Sequence, residues 1–283
     1  MKHETLARIQ ARVTDEPAIP VLPARCTRRA KAFYEKLGFR AVPGSSGVCD
    51  YLMLRAGKVE VQDEGSQLLC YLLAPKRREM VVDFCAGAGG KTLAIASDMN
   101  NKGHVVACDV NEARLKRCAE RLRRAGLHNG ETRLLASETD RWVKRHKGRF
   151  DRVLVDAPCS GTGTWRRNPD ARWRETGEDG LANLVALQAR ILSSAARLVK
   201  PGGRLVYATC SLLLEENEDQ VTAFLAANPA FRLLPLGEAA PELATKVDGD
   251  TLSLTPARHA TDGFFAAVLQ REAPVAQPSG DKA

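Results

Sequence analysis

The sequence predicts an α/β protein built on one open, mostly parallel sheet with helices on both faces. Three observations carry that expectation. Short apolar runs recur at Met80-Val-Val-Asp83, His104-Val-Val-Ala-Cys-Asp109, Arg152-Val-Leu-Val-Asp156 and Leu205-Val-Tyr-Ala-Thr209, too short for helices and rich in β-branched residues. Stretches at helical spacing separate most of them, which is the alternation that covers a parallel sheet on both faces. The runs also stop on an acid or beside a cysteine, and ligands of such sheets bind outside the carboxyl ends of the strands.

At 283 residues the chain exceeds one average domain and suits a single large α/β unit with an appendage. Residues 1–60 are read as a small N-terminal appendage, broken by Pro17, Pro20, Pro23 and Pro43, with a short amphipathic helix expected from Ala30 to Leu37. Residues 61–272 form the main domain and 273–283 a frayed tail. A composition of 44% hydrophobic and 27% charged residues suits a globular protein with a sizeable core. The formal net charge of +8 permits a polyanionic partner without requiring one. Eight cysteines, at 26, 49, 70, 85, 108, 118, 159 and 210, sit mostly inside apolar runs, which argues against a disulfide scaffold. None forms a CxxC pair with a matching Cys or His pair, so no metal is expected. The start, Met1-Lys-His-Glu-Thr-Leu6, lacks the apolar core of a signal peptide, and no run approaches about 18 apolar residues. A reduced, cytoplasmic, monomeric protein away from membranes is the expectation.

In chain order, Val59 to Gln62 alternates as a strand and Ser66 to Leu73 continues at helical spacing toward Pro75. Lys76, Arg77 and Arg78 follow as a solvated turn. Met80 to Asp83 is the first core strand, and Cys85-Ala-Gly-Ala-Gly-Gly-Lys-Thr92 makes a glycine-rich turn that opens a helix. The second strand ends at Asp109, and Asn111 caps the next helix, whose inner face is Leu115, Ala119, Leu122 and Ala125. Its basic residues, Arg114, Lys116, Arg117, Arg121, Arg123 and Arg124, are assigned mainly to a solvated outer face. Thr132 to Ala136 is the third strand and Val153 to Val155 the fourth. A long helix from Leu181 to Leu198 is stopped by Pro201-Gly-Gly203, and Arg204 to Ala208 is the fifth strand. Glu215, Glu216, Glu218 and Asp219 are read as acids at the positive end of a helix dipole. Phe231 to Leu234 and Gly263 to Leu269 complete a seven-stranded sheet.

The strand ends carry the chemistry. Glycines let a ligand lie against the backbone, and the helix that follows offers free N–H groups, so Cys85, Ala86, Gly87, Ala88, Gly89, Gly90 and Lys91 form a candidate ligand cradle. It is not a phosphate loop of the Walker type, because the required first glycine is missing. An acid about 20 residues on can accept hydrogen bonds from both hydroxyls of a ribose, and Asp109 stands there. Glu138 is the candidate contact to an adenine amino group, with Asp140 its rival. Asp156, Cys159 and Cys210 share the next crevice, so two thiols and a carboxylate can meet over one substrate. A loop of two tryptophans and four arginines, Ser160 to Arg174, suits single-stranded nucleic acid, where aromatics stack on bases and guanidiniums hold phosphates.

These motifs resemble the RsmB/Nop/Sun family of RNA 5-methylcytosine methyltransferases over roughly residues 59 to 270. Asp83-Phe-Cys-Ala-Gly-Ala-Gly-Gly-Lys-Thr92 is similar to its cofactor loop, apart from Ala88, where the family usually has proline. Asp156-Ala-Pro-Cys-Ser-Gly161 and Ala208-Thr-Cys-Ser211 are similar to its two cysteine motifs, and Arg166-Arg-Asn-Pro-Asp170 and Asp262-Gly-Phe-Phe265 also fit. The resemblance implies a Rossmann-like class I methyltransferase that uses S-adenosyl-L-methionine on RNA, rRNA or tRNA, with the target cytosine in a loop or single strand. It implies Cys210 as the nucleophile at cytosine C6, Asp156 on the N3/N4 edge, Cys159 assisting release, and Lys91 lowering a thiol pKa or orienting Asp156. The opposite assignment, Cys159 as nucleophile, is the pattern of DNA cytosine enzymes. Three other readings stay open: a base amino-methyltransferase, an RNA-binding assembly factor with little chemistry, and a dinucleotide oxidoreductase.

Overall fold

A computed structural model describes residues 21–23, 60–173 and 180–273, apart from 246, 248 and 260. The helix expected at Ala30 to Leu37, Arg174 and residues 274–283 lie outside them. Strand β1 (Val21–Pro23) pairs parallel with β2 (Glu60–Gln62). Helix α1 (Glu64–Leu73) follows, capped by the Asp63 side chain accepting from the Gly65 N–H.

The main sheet runs β5-β4-β3-β6-β7-β10-β8. Its parallel half is β3 (Met80–Asp83), β4 (His104–Asp109), β5 (Gly130–Leu134), β6 (Phe150–Asp156) and β7 (Val199–Thr209). β10 (Phe264–Arg271) is antiparallel to β7, and β8 (Phe231–Leu233) is antiparallel to β10. The expected seven strands are present, and an eighth, β9 (Leu252–Leu254), pairs with β10 off the main path. Among the boundaries that differ from the expectation, three change how the sheet is covered and paired. The third core strand lies two residues earlier, at Gly130–Leu134. The long helix stops at Ala196 rather than at the proline. Strand β7 then takes in Pro201-Gly202-Gly203, where its pairing with β6 is irregular; a Cβ on Gly203 would come 2.8 Å from the Lys200 carbonyl.

Successive residues of a strand face opposite sides of the sheet, which divides the core in two. Val82, Val106, Val153, Val155, Leu205 and Tyr207 pack on one side under the long helix (Gly180–Ala196), with Ile191, Leu192 and Ala195. Val81, Val105, Leu154, Val206 and Ala208 pack on the other with Leu69, Leu72 and Leu73 of α1 and Ile95 of α2 (Gly90–Asp98). With both faces covered, the free rim of the sheet is the carboxyl end of β3, β4, β6 and β7.

Helix α3 (Glu112–Arg124) is capped by Asn111, as its sequence predicts, and buries Leu115, Cys118 and Leu122. The mainly solvated basic face is corrected at Arg121 and Arg124, which both bind Glu60 at 2.8 Å. Arg121 turns inward, donating to the Ala88 carbonyl at 2.9 Å and to Glu60 at 2.8 Å, because its long stem reaches over the glycine loop. The acidic cluster is corrected likewise: Glu216 is fully buried instead of capping a helix from solvent.

Candidate active site

The loop after β3 gives the site its floor. Phe84 N–H donates to the Leu154 carbonyl and Ala86 N–H to the Cys108 carbonyl, so the chain leaves β3 tethered to both neighbouring strands. Gly87 and Gly89 adopt φ of +54° and +84°, which side chains rarely accept. A Cβ on Gly89 would stand 2.4 Å from the Cys118 sulfur, whereas one on Gly87 would meet nothing within 4 Å. Gly89 lets the helix pack down on α3, and Gly87 leaves backbone bare. Gly87 N–H donates to Asp109 at 2.8 Å, and the other Asp109 oxygen accepts from Asn111 N–H at 2.8 Å. Each oxygen retains a second lone pair for a ligand hydroxyl.

A cavity of about 310 Å³ opens above this loop, within the size range of small-molecule sites. Of the residues named from the sequence, Cys85, Ala86, Gly90, Lys91 and Asp156 line it. Gln62 and Asp63, which the sequence did not single out, also line it, as do Asp83, Arg167 and Phe264, which it placed in motifs without a role at this cavity. The strand-end rule could have singled out Asp83, but only the folded chain brings α1's cap and β10's first ring to this cleft. Gln62 Oε1 and Asp83 Oδ1 are buried acceptors without a hydrogen-bond partner in the protein. Buried acceptors of that kind are costly unless something donates to them, so the lining fits a ligand rich in N–H or O–H donors. Burial raises the Asp83 carboxyl to about 6, with Thr92 and Lys91 opposing the shift.

Lys91 Nζ stands 2.6 Å from Asp156 Oδ2 and 6.0 Å from the centroid of the Phe264 ring. Burial works against a charge on Lys91, yet Asp156 more than offsets it and holds the ammonium above its usual range.

Beyond Asp156 the two cysteines meet: Cys159 Sγ lies 3.4 Å from Cys210 Sγ. They sit on loops leaving adjacent parallel strands whose last paired residues are Asp156 and Ala208. The shared hydrogen bond pulls Cys210 below the ordinary thiol range; Lys91 helps, while burial and Asp156 oppose. The same bond, reinforced by burial, pushes Cys159 far up. These opposite directions correspond to Cys159 donating and Cys210 accepting in the shared hydrogen bond. Burial raises Cys70, Cys85 and Cys108, and takes Cys118 to about 11, which marks those thiols as unreactive at neutral pH.

The candidate adenine contact and its rival both have partners within the protein. Glu138 pairs with Arg190 at 2.8 Å, and the two oxygens of Asp140 accept from Trp142 and Ala136 N–H; neither residue lines the cavity. In the arginine-rich loop, Arg166 and Arg167 both bind the fully buried Asp262 just before β10, so these two guanidiniums brace the loop while staying partly exposed. The tryptophans of that loop are exposed, Trp165 by 39% and Trp173 by 78%. No helix among the described residues is long and apolar enough to cross a membrane.

Residues 70–270 match the family model described as 16S rRNA methyltransferase RsmB/F. The chain is 36% identical over 271 residues to the ribosomal RNA small subunit methyltransferase B of Vibrio cholerae, covering 96% of this chain and 57% of that protein. The Vibrio vulnificus protein of the same name is 40% identical over 217 residues, 77% of this chain and 48% of the relative. This chain thus spans about half the length of the curated relatives it matches. Among solved structures, a methyltransferase homolog protein from Pyrococcus horikoshii is 29% identical with a TM-score of 0.68, over 88% of this chain and 84% of that one. NSun6 from Pyrococcus horikoshii, solved with SFG, is 26% identical with a TM-score of 0.68, over 81% and 56%. With the family model covering well over half of its residues, the chain belongs to the 16S rRNA methyltransferase RsmB/F family.

Proposed function

We propose that this chain methylates C5 of cytosine in RNA, with rRNA as the favoured substrate, and uses S-adenosylmethionine as donor. The observation that carries the reading is the thiol pair at 3.4 Å beside the Lys91–Asp156 ion pair. Methylation of a base amino group requires neither thiol. The donor would lie along Cys85 to Lys91, with Asp109 toward its ribose, and would supply an electrophilic methyl group. Gln62 and Asp83 offer it the unsatisfied acceptors of the cavity.

Cytosine C5 is a poor nucleophile, so the ring must first be activated by addition at C6. Cys210 is the group for that step: its thiolate is sustained by the Cys159 hydrogen bond and by the Lys91 charge. Asp156, held by Lys91, accepts from the base's N4 amino group and fixes the ring over the sulfur. After methyl transfer a solvent water takes the C5 proton, the C5–H electron pair restores the C5–C6 double bond, and the C6–S pair returns to Cys210 as thiolate. The Cys159 thiol then donates to the departing Cys210 sulfur and stabilises it as a leaving group. A base inside a duplex cannot reach a sulfur at the sheet rim, so the target is a cytosine out of its stack.

Incubation with total RNA and methyl-labelled donor tests this directly. Cys210→Ala is expected to transfer no label. Cys159→Ala is expected to accumulate a covalent protein–RNA species that survives denaturation. The reverse pattern would exchange the two roles, and label recovered in N-methylated bases would overturn the C5 assignment.

A further inference from the structure

We propose that the buried dipeptide Glu216-Asn217 is a positioning element that holds the two cysteines at bonding distance, acting through the backbone of both cysteine loops without touching substrate. This rests on the reading of Cys210 as the nucleophile and names what sets its sulfur.

The sheet ladder stops short of the thiols. Its last ties are the Asp156 to Ala208 pairing and the Ala157 N–H donating to the Ala208 carbonyl at 2.8 Å. Past that point the two backbones meet once more, where Gly163 N–H donates to the Cys210 carbonyl at 2.9 Å, four residues after Cys159; on the Cys159 side of that tie, side chains fix how far apart the two sulfurs stand. Glu216 holds the first loop: its carboxylate accepts from Ser160 N–H at 2.8 Å and from Ser160 Oγ at 2.5 Å, one residue after Cys159. Asn217 holds the second, on both sides of Cys210: its Oδ1 accepts from Thr209 Oγ1 at 2.5 Å, and its Nδ2 donates to the Ser211 carbonyl at 3.0 Å. The dipeptide is itself anchored, since Tyr207 Oη donates to the Glu216 carbonyl at 2.7 Å and Gln188 Nε2 to its carboxylate at 2.9 Å.

Burial makes these bonds informative. Glu216 is 0% exposed and Asn217 is 5% exposed. A buried carboxylate is costly, and the three donors that meet this one are all neutral. A carboxylate only accepts, so it fixes the direction of every donor aimed at it, which an amide of the same size cannot do. The charged groups facing Cys210 are Asp156 at the end of β6 and Lys91 on α2, and neither touches the dipeptide. Movement of the Ser160 loop by about 1 Å would break the sulfur–sulfur hydrogen bond while leaving that ion pair in place.

The test needs neither RNA nor donor, so its failure is distinguishable from failure of the methylation reading. The full chain is alkylated with iodoacetamide across a pH series, and modification at each cysteine is followed by peptide mass spectrometry. Glu216→Gln is expected to move the Cys210 midpoint up by about one pH unit, slowing its alkylation at neutral pH about tenfold. Glu238→Gln, at an exposed carboxylate, is expected to match the parent. Ser160→Ala should shift the midpoint in the same direction, and Ser160→Thr, which keeps the hydroxyl, should restore it. A Glu216→Gln protein that melts like the parent and keeps its Cys210 midpoint overturns the proposal. Should that variant fail to fold, an unchanged midpoint in Ser160→Ala overturns it instead.

Discussion

Asp83→Asn should make the fold more stable at neutral pH and should erase part of its dependence on pH. Asp83 is 0% exposed at the end of β3, where Thr92 Oγ1 donates to one oxygen at 2.7 Å and the other has no partner. Burial raises its carboxyl from 3.8 to about 6. An acid whose pKa rises on folding favours the folded state while protonated and loses that contribution as pH climbs through the folded value. The shift of about 2 units, the difference between those two values, corresponds to about 3 kcal/mol across the full titration. Over the accessible window, from about pH 4.5 to about pH 7.5, roughly 2 kcal/mol of it appears. Asparagine keeps the shape and cannot ionise. Urea unfolding of parent and variant at both ends of that window measures the effect: the stability advantage of the variant should grow by about 2 kcal/mol toward neutral pH. A constant difference between the two proteins would refute the argument, because it would mean that Asp83 titrates alike in the folded and unfolded chains. A ligand donating to the unpartnered oxygen should stabilise the parent more than the variant.

Two further outcomes follow from the site. Lys91→Met removes the ammonium 2.6 Å from Asp156 and leaves a carboxylate only 26% exposed, so stability should fall by about 1–3 kcal/mol, read by chemical denaturation. The same change removes a charge that favours the Cys210 thiolate, and alkylation of Cys210 should shift to higher pH. Gly163→Ala puts a Cβ 2.4 Å from the Gly263 carbonyl oxygen and 2.8 Å from that of Cys210; both are backbone atoms, so the loop must move. A loss of about 1–3 kcal/mol is expected in urea, together with a parallel loss of methyl transfer.

The sequence by itself determined the order of strands and helices, the glycine-rich turn at Cys85 to Lys91 and the meeting of Asp156 with the two cysteines. These are local matters: strand length, β-branched content, glycine and a residue's distance from a strand end are all written along the chain, and the carboxyl ends of neighbouring parallel strands must share one rim. Only the tertiary structure decided what the charged side chains do. Arg121, Arg166 and Arg167 read as solvated or nucleic-acid-facing residues, yet they bind the Ala88 carbonyl with Glu60, or Asp262, because folding brings acceptors from 33 to 96 positions away within reach. Glu216 read as a helix-capping acid and instead lies buried against Ser160, 56 positions earlier, in the loop that carries Cys159. Long flexible charged side chains take whichever partner the packed chain supplies. Composition and period carry no record of that choice.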